Sequence, residues 1–150
     1  MKVTVIKYWL IVASKDHVMT GVNLSIAQAC HGKCSPLQKM KEGDRVVYYS
    51  PKLKFEGGLG RDNKCNCFTA LGTVGKEAKP YQVQMTEDFK PWRINVVFDK
   101  GVKSVLVKEL VEELSFITNK KSWGTSFRNG FRGIEESDFM IIENAMKGNL

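Results

Sequence analysis

The sequence predicts an α+β domain organised on a largely antiparallel, barrel-like sheet. Three observations carry this. Segments of strand composition outnumber segments of helical periodicity. The helical segments are scattered among the strands rather than alternating with them, and most connections have hairpin length. No repeat and no linker interrupts the chain, and 150 residues fit one domain, 1–150, able to bury about 68–70% of its unfolded surface.

The elements follow in order. Val3–Ala13 is β-branched and aromatic, and apolar on both faces from Tyr8 to Ala13, which predicts one or two adjoining strands in a central position. Ser14 or Asp16 offers an N-cap for a helix of one or two turns through His17, Val18 and Val22, weakened by Gly21 and Asn23. A second helical piece is expected over Ile26–Cys30, stopped by Gly32. A third begins near Pro36, with Leu37 and Met40 inward. Glu42-Gly43-Asp44 is a turn before a strand at Arg45–Tyr49. Pro51–Asn66, rich in Gly, Lys and Asn, reads as a long hairpin or loop. Strands are expected at Cys67–Lys76, Tyr81–Met85 and Trp92–Phe98. Val107, Leu110, Val111 and Leu114 recur at i, i+3, i+4, i+7, predicting an amphipathic helix over Ser104–Leu114. A short strand at Phe131–Ile134 and a helix over Glu136–Lys147 close the fold, with Phe139, Ile142 and Met146 inward and Gly148 as terminator.

Composition narrows the function classes. An apolar fraction of 43% with 26% charged residues is ordinary for a globular domain. No apolar run approaches the ~18–20 residues of a membrane span, and Lys7 splits the N-terminal one, so a cytoplasmic location and no membrane partner are expected. The net charge of +7 is lopsided: residues 1–75 carry 11 basic and 5 acidic side chains, residues 76–150 carry 12 and 11. The excess lies in the half that contains the polar stretch Ser14–Lys52, which holds both histidines, and it favours an anionic partner, nucleic acid first.

Within this frame the blocks YWLIVASKDHV, AQACHGKCSPLQKMKEGDRVVYYSPK, FTALGTV, PWRINVVF and LSFITNKKSWGTSFRNGF resemble an EVE domain of the compact bacterial and archaeal type. The resemblance covers about the whole chain. It implies a PUA-like fold, a mixed β-barrel with short flanking helices similar to the YTH domain. It also implies nucleic-acid binding, with a modified base as ligand. The loop at Pro51–Asn66 is longer and more cysteine-containing than the family needs.

Reading one base requires an aromatic slot, donors and acceptors aimed at the base edge, and cations for phosphate. Gln28 and His31, three apart and on one face if helical, are the leading base-edge candidates, with Ser14, His17 and Ser50 at the ends of the flanking strands. Tyr49, Trp92 and Trp123 are the aromatic candidates; Lys15, Lys33, Lys52, Arg93 and Arg128 are the phosphate candidates. Each has a plainer reading: histidines and Gln28 tying down backbone, tryptophans as core, lysines as solvated surface.

The expected function is therefore a non-enzymatic module that recognises a single base, modified or not, with RNA favoured over DNA, no cofactor, and the oligomeric state open. Two alternatives stand beside it: a metal-independent ribonuclease using the two histidines as acid and base, and a protein-interaction module with no nucleic-acid ligand. Cys30-x-x-x-Cys34 and Cys65-x-Cys67 lack the spacing of zinc ribbons, so free thiols are expected and no metal. Gly57-Gly58-Leu59-Gly60 lacks the Lys-Ser/Thr and helix start of a phosphate loop.

Overall fold

Two strands with both faces buried run through the middle of the molecule, as the two-sided hydrophobicity of YWLIV and VVYY requires. In the computed structural model, which describes residues 5–58 and 60–148, these are β1 (Tyr8–Val12) and β3 (Arg45–Lys52), paired in parallel from Tyr8–Arg45 to Val12–Tyr49. The expected strand start at Val3 lies outside the described residues. A parallel neighbour needs a crossover. The chain between them supplies α1 (Lys15–Leu24), β2 (Ile26–Ala27) and α2 (Cys34–Gln38).

The remaining elements are β4 (Lys64–Val74), β5 (Tyr81–Gln82), β6 (Trp92–Phe98), β7 (Val105–Leu106), β8 (Phe131–Ile134) and α3 (Glu136–Met146). The strands form one mixed, curled sheet in the order β2-β6-β4-β3-β1-β8, with β5 on β6 and β7 on β4. Apart from β1–β3, every pair is antiparallel. The sheet curls until its ends approach. The chain just after β2 meets the turn just before β8, where Cys30 Sγ lies 3.8 Å from the Asn129 carbonyl oxygen. This seam makes the sheet a half-barrel, and it is where the candidate site sits.

Side-chain alternation divides the interior in two. Trp9, Ile11, Val46, Tyr48 and Ile94 fill the concave face with Val18 of α1 and Leu37 and Met40 around α2. Leu10, Val47, Tyr49 and Phe68 pack on the other face under Phe139, Ile142 and Met146 of α3 and the segment 107–127. The inward residues expected for α2 and α3 are therefore buried.

Three elements differ from expectation. Ile26–Cys30 is not helical: Ile26 and Ala27 pair with Asn95 and Ile94, because β6 offers an open edge to a short apolar run that fits either structure. Ser104–Leu114 is not one helix but β7, a 3₁₀ turn at Val107–Glu109 and tight turns bonded Leu110 N to Val107 O (2.9 Å) and Glu113 N to Leu110 O (3.0 Å). The i, i+3, i+4, i+7 residues are all buried as the period requires, but the branched Val105, Val107 and Val111 disfavour a regular helix and β4 captures Val105–Leu106. Finally, α1 runs ten residues despite Gly21. A Cβ at Gly21 would stand 2.8 Å from the Ile26 carbonyl oxygen, so the glycine permits the tight return into β2 rather than breaking the helix.

Across the sheet end, the Arg45 guanidinium donates to Asp99 (2.8 and 3.0 Å) and to Glu143, and Lys147 Nζ reaches both acids (3.1 and 3.2 Å). Arg45 beside it holds the Asp99 carboxyl below the ordinary carboxylate range. A depressed carboxylate contributes stability above its unfolded value of about 3.9, lost as pH falls through the folded value. Below about pH 4 the wild type is therefore expected to lose stability that Asp99→Asn lacks at every pH, a difference that urea melts between about pH 2.5 and 7 will read. At neutral pH Arg45→Ala should cost about 2–3 kcal/mol, since two partly buried acids lose their guanidinium donor and keep only Lys147.

Candidate nucleic-acid interface at the barrel seam

The seam is built from the turn that follows β2. Cys30 and His31 have φ of 49° and 61°, and Gly32 has φ of 83°, so three successive residues in the left-handed region fold the chain sharply outward. Gly32 is there by necessity: a Cβ would lie 2.5 Å from Pro91 Cβ and 2.8 Å from Pro91 Cα. The Gly32 carbonyl accepts from Trp92 N at 2.8 Å, locking the turn to the start of β6. Successive non-glycine residues held in this region, as Cys30 and His31 are, are unusual outside functional sites. Gly32→Ala is expected to lose about 1–3 kcal/mol, which for a chain of this size is a fall of roughly 2–4 °C in Tm per kcal/mol, and to move His31; a thermal melt checks the first part.

Side chains from four segments meet this turn. On one side the Gln28 amide, in its hydrogen-bonding orientation, accepts from Arg93 Nε (3.2 Å) and Nη2 (3.0 Å), while its backbone carbonyl accepts from Tyr48 Oη (3.4 Å). Its amide NH₂ is thereby turned away from Arg93 and left able to donate. On the other side His31 stands edge-on to Phe55 (6.3 Å between centroids), and His17 of α1 stacks on the same ring at 4.8 Å. The two histidines, 14 positions apart in the sequence, thus converge on one phenylalanine. Phe89 brackets the turn from the β5–β6 hairpin, 3.4 Å from the position a Gly32 Cβ would take.

Phe55 is carried by the β3–β4 hairpin, which is pinned to α1. Asp16 N donates to the Leu53 carbonyl (2.9 Å), and Phe55 N donates to the Asp16 carboxylate (3.2 Å to each oxygen). Ser14 Oγ also donates to Asp16 (2.6 Å). Although burial works in the opposite direction, these bonds from Ser14 and Phe55 hold the Asp16 carboxyl below its ordinary value. Lys52 Nζ donates to the carbonyls of Phe55 (2.9 Å) and Gly57 (3.1 Å) and lies 5.1 Å from the Phe55 ring centroid.

The sequence-expected residues divide accordingly. Gln28 and Arg93 meet as a pair; His17, His31 and Lys52 meet around Phe55. Gln28 and His31 are not on one helical face, because the segment is a strand and turn, and they flank the turn instead. Lys33 is exposed directly after Gly32, and Arg128 is exposed beside Asn129 at the seam. Lys15 is half-buried at the start of α1.

Three of the expected ligand residues need correction. Ser50 is fully buried and shares a 2.8 Å hydrogen bond with Thr69, so it contacts no ligand. Tyr49 is 4% exposed, stacks on Phe127 at 4.1 Å and donates its hydroxyl to Asn66 Oδ1 (3.2 Å); strand alternation puts it on the same buried face as Val47. Ser14 is buried with its hydroxyl committed to Asp16. Trp92 and Trp123 are half-buried, each packed against one of the two cores. The exposed aromatics near the turn are Phe55 and Phe89, 42% and 38% accessible. Their signal in the sequence is a single phenylalanine in each of two polar, Lys-containing loops, an apolar residue with no core face to serve.

All four cysteines are free thiols, and burial pushes the Cys67 thiol up to about 11. Among the described residues, no group of three or more His, Cys, Asp or Glu is placed to hold a metal ion, and no helix is long and apolar enough to cross a membrane.

A cavity of about 510 Å³ opens at the opposite end of β1, lined by Lys7, Trp9, Ser115, Arg132, Glu135 and Asp138 among others. Its buried polar groups are already partnered: Asp138 accepts from Ser115 N and Oγ (2.9 and 2.6 Å), and the Trp9 indole donates to Asp44 (2.9 Å). The seam, by contrast, presents donors and imidazoles outward.

Comparison with known proteins agrees with the architecture. The EVE domain family profile matches residues 7–145. A UPF0310 protein of Mycolicibacterium gilvum is 41% identical over 142 residues, covering 95% of this chain and 96% of the relative. The UPF0310 protein YdcG of Bacillus subtilis is 37% identical over 143 residues, covering 95% and 94%. Among solved structures, Rpa0253 from Rhodopseudomonas palustris shares the fold with a TM-score of 0.57 at 16% identity, covering 97% of this chain and 95% of that one. With a profile match along nearly its whole length and full-length relatives at about two-fifths identity, the chain belongs to the EVE domain family.

Proposed function

We propose that this protein is a non-enzymatic nucleic-acid-binding module that reads a single base, modified or not, at the barrel seam. The observation that carries the reading is the outward turn Gln28–Gly32. It offers an amide NH₂ donor, oriented by Arg93, on one side and an imidazole on the other. Those are the groups a base edge demands, and the exposed Lys33 and Arg128 beside the turn are suited to flanking phosphates. Family membership supports nucleic acid over other ligands. RNA is favoured over DNA.

The test is a titration of wild-type protein against short RNA and DNA strands that differ at one central base, with modified and unmodified versions, at fixed salt of about 0.1 M. Base recognition predicts at least one base bound about tenfold more tightly than the rest. Equal affinities that fall together as salt is raised would leave only nonspecific phosphate contact and contradict it.

One observation favours a second reading. Both histidines touch the same aromatic ring, as a general acid and base on either side of a reacting phosphate would be neighbours in a metal-independent ribonuclease. That reading predicts RNA cleavage by the wild type, lost in His17→Ala and in His31→Ala. Intact RNA after prolonged incubation with wild-type protein would end it.

A further inference from the structure

The environment of Phe55 is that of a bound planar ligand rather than of a core side chain. His17 stacks on its ring (4.8 Å, 23° between planes), His31 meets its edge (6.3 Å, 67°), and the Lys52 ammonium lies 5.1 Å from its centroid. Stacking, edge contact and a cation are also what hold a nucleobase. Yet the ring is 42% exposed, so burial of apolar surface does not account for its position. Its backbone is fixed independently of the ring: Phe55 N is bonded to Asp16, and the carbonyl to Lys52. Rotation about the side-chain torsion alone can therefore empty the space without unfolding the hairpin.

We infer that His17, His31 and Lys52 wall the slot for the recognised base and that Phe55 occupies it in the unliganded protein, as an intramolecular stand-in that the base displaces. The inference rests on the base-recognition reading and extends it, naming the slot and the self-occupancy that tunes its affinity. An aromatic ring suits walls made of two imidazoles and an ammonium, and the nearby Asp16 carboxylate is engaged by Ser14, His17 N and Phe55 N. The neighbouring cations Lys33 and Lys54 are exposed and suit the phosphates of the entering strand.

Self-occupancy makes a prediction opposite in sign to that for an ordinary aromatic contact. Removing a competitor raises apparent affinity by the inverse of the fraction of time the slot is open. With the worth of a typical aromatic pair, Phe55→Ala should bind the preferred oligonucleotide about three- to tenfold more tightly than wild type. Phe55→Trp, a larger occupant, should bind it more weakly. His17→Ala introduced into Phe55→Ala should remove the gain. Isothermal titration with wild type and the three variants, each checked for an unchanged melting profile, reads all of this. If Phe55→Ala binds equally or less tightly while wild type still discriminates among bases, the self-occupied slot is wrong and base recognition stands. If neither wild type nor Phe55→Ala binds any strand at low salt, base recognition fails and the slot fails with it.

Discussion

Asp44→Ala is expected to cost about 3–5 kcal/mol, as much as truncating a large core side chain. Asp44 closes the turn between α2 and β3, is 2% exposed, and its carboxylate accepts from three donors: Lys7 N (3.0 Å), Trp9 Nε1 (2.9 Å) and Lys41 N (2.9 Å). The first two belong to β1 and the residue before it, the third to the turn itself, so one carboxylate ties the first strand to the turn that leads into β3. Alanine leaves an indole and two backbone N–H groups without their acceptor, and each buried donor stranded in this way costs about 1–3 kcal/mol. Asn restores one acceptor oxygen but points an NH₂ at the remaining donors, so Asp44→Asn should recover less than half of the loss. Urea unfolding at neutral pH measures both; near-wild-type stability for Asp44→Ala would show that water replaces the carboxylate.

The second large effect is on binding. Gln28→Ala and His31→Ala should each weaken the preferred strand about 10- to 100-fold, the cost of one or two directed hydrogen bonds to a base edge. The pattern matters as much as the size. Removing a hydrogen bond to the base edge lowers affinity for the preferred strand and leaves the weaker strands nearly unchanged, so discrimination collapses. Lys33→Ala, which removes a cation from beside the phosphates, should weaken all strands alike and reduce the salt slope by about one. Gln28→Glu provides a further check: its carboxylate still accepts from Arg93 but lacks the amide NH₂ that the base edge would take.

Much of this architecture is legible in the sequence because burial on two faces leaves a plain record. YWLIV and VVYY fit only central strands, and the 3.6-residue spacing of Phe139, Ile142 and Met146 defines α3 to within a residue. The periodicity at Val107–Leu114 is real but ambiguous, since consecutive tight turns place the same residues inward as a helix does. The turn after β2 is hidden for a different reason. Its shape depends on Pro91 packing against Gly32, residues 59 positions apart, and no local pattern announces it. The same holds for the site. Gln28 and His31 stand out by residue type, but their neighbours Arg93 and Phe55 are brought in by β6 and by the β3–β4 hairpin. Tyr49 and Ser50 look exposed beside a proline, but β3 stays covered on both faces as far as Ser50, so both are buried.

The location of the ligand is the claim on which the rest depends, and chemical-shift mapping tests it most directly. Amide resonances of ¹⁵N-labelled protein, followed while the tightest-binding oligonucleotide is added, should shift most at Gln28–Lys33, Arg93, His17 and the backbone around Phe55. Shifts centred instead on Lys7, Ser115 and Arg132, around the cavity at the far end of β1, would place recognition elsewhere and contradict the account.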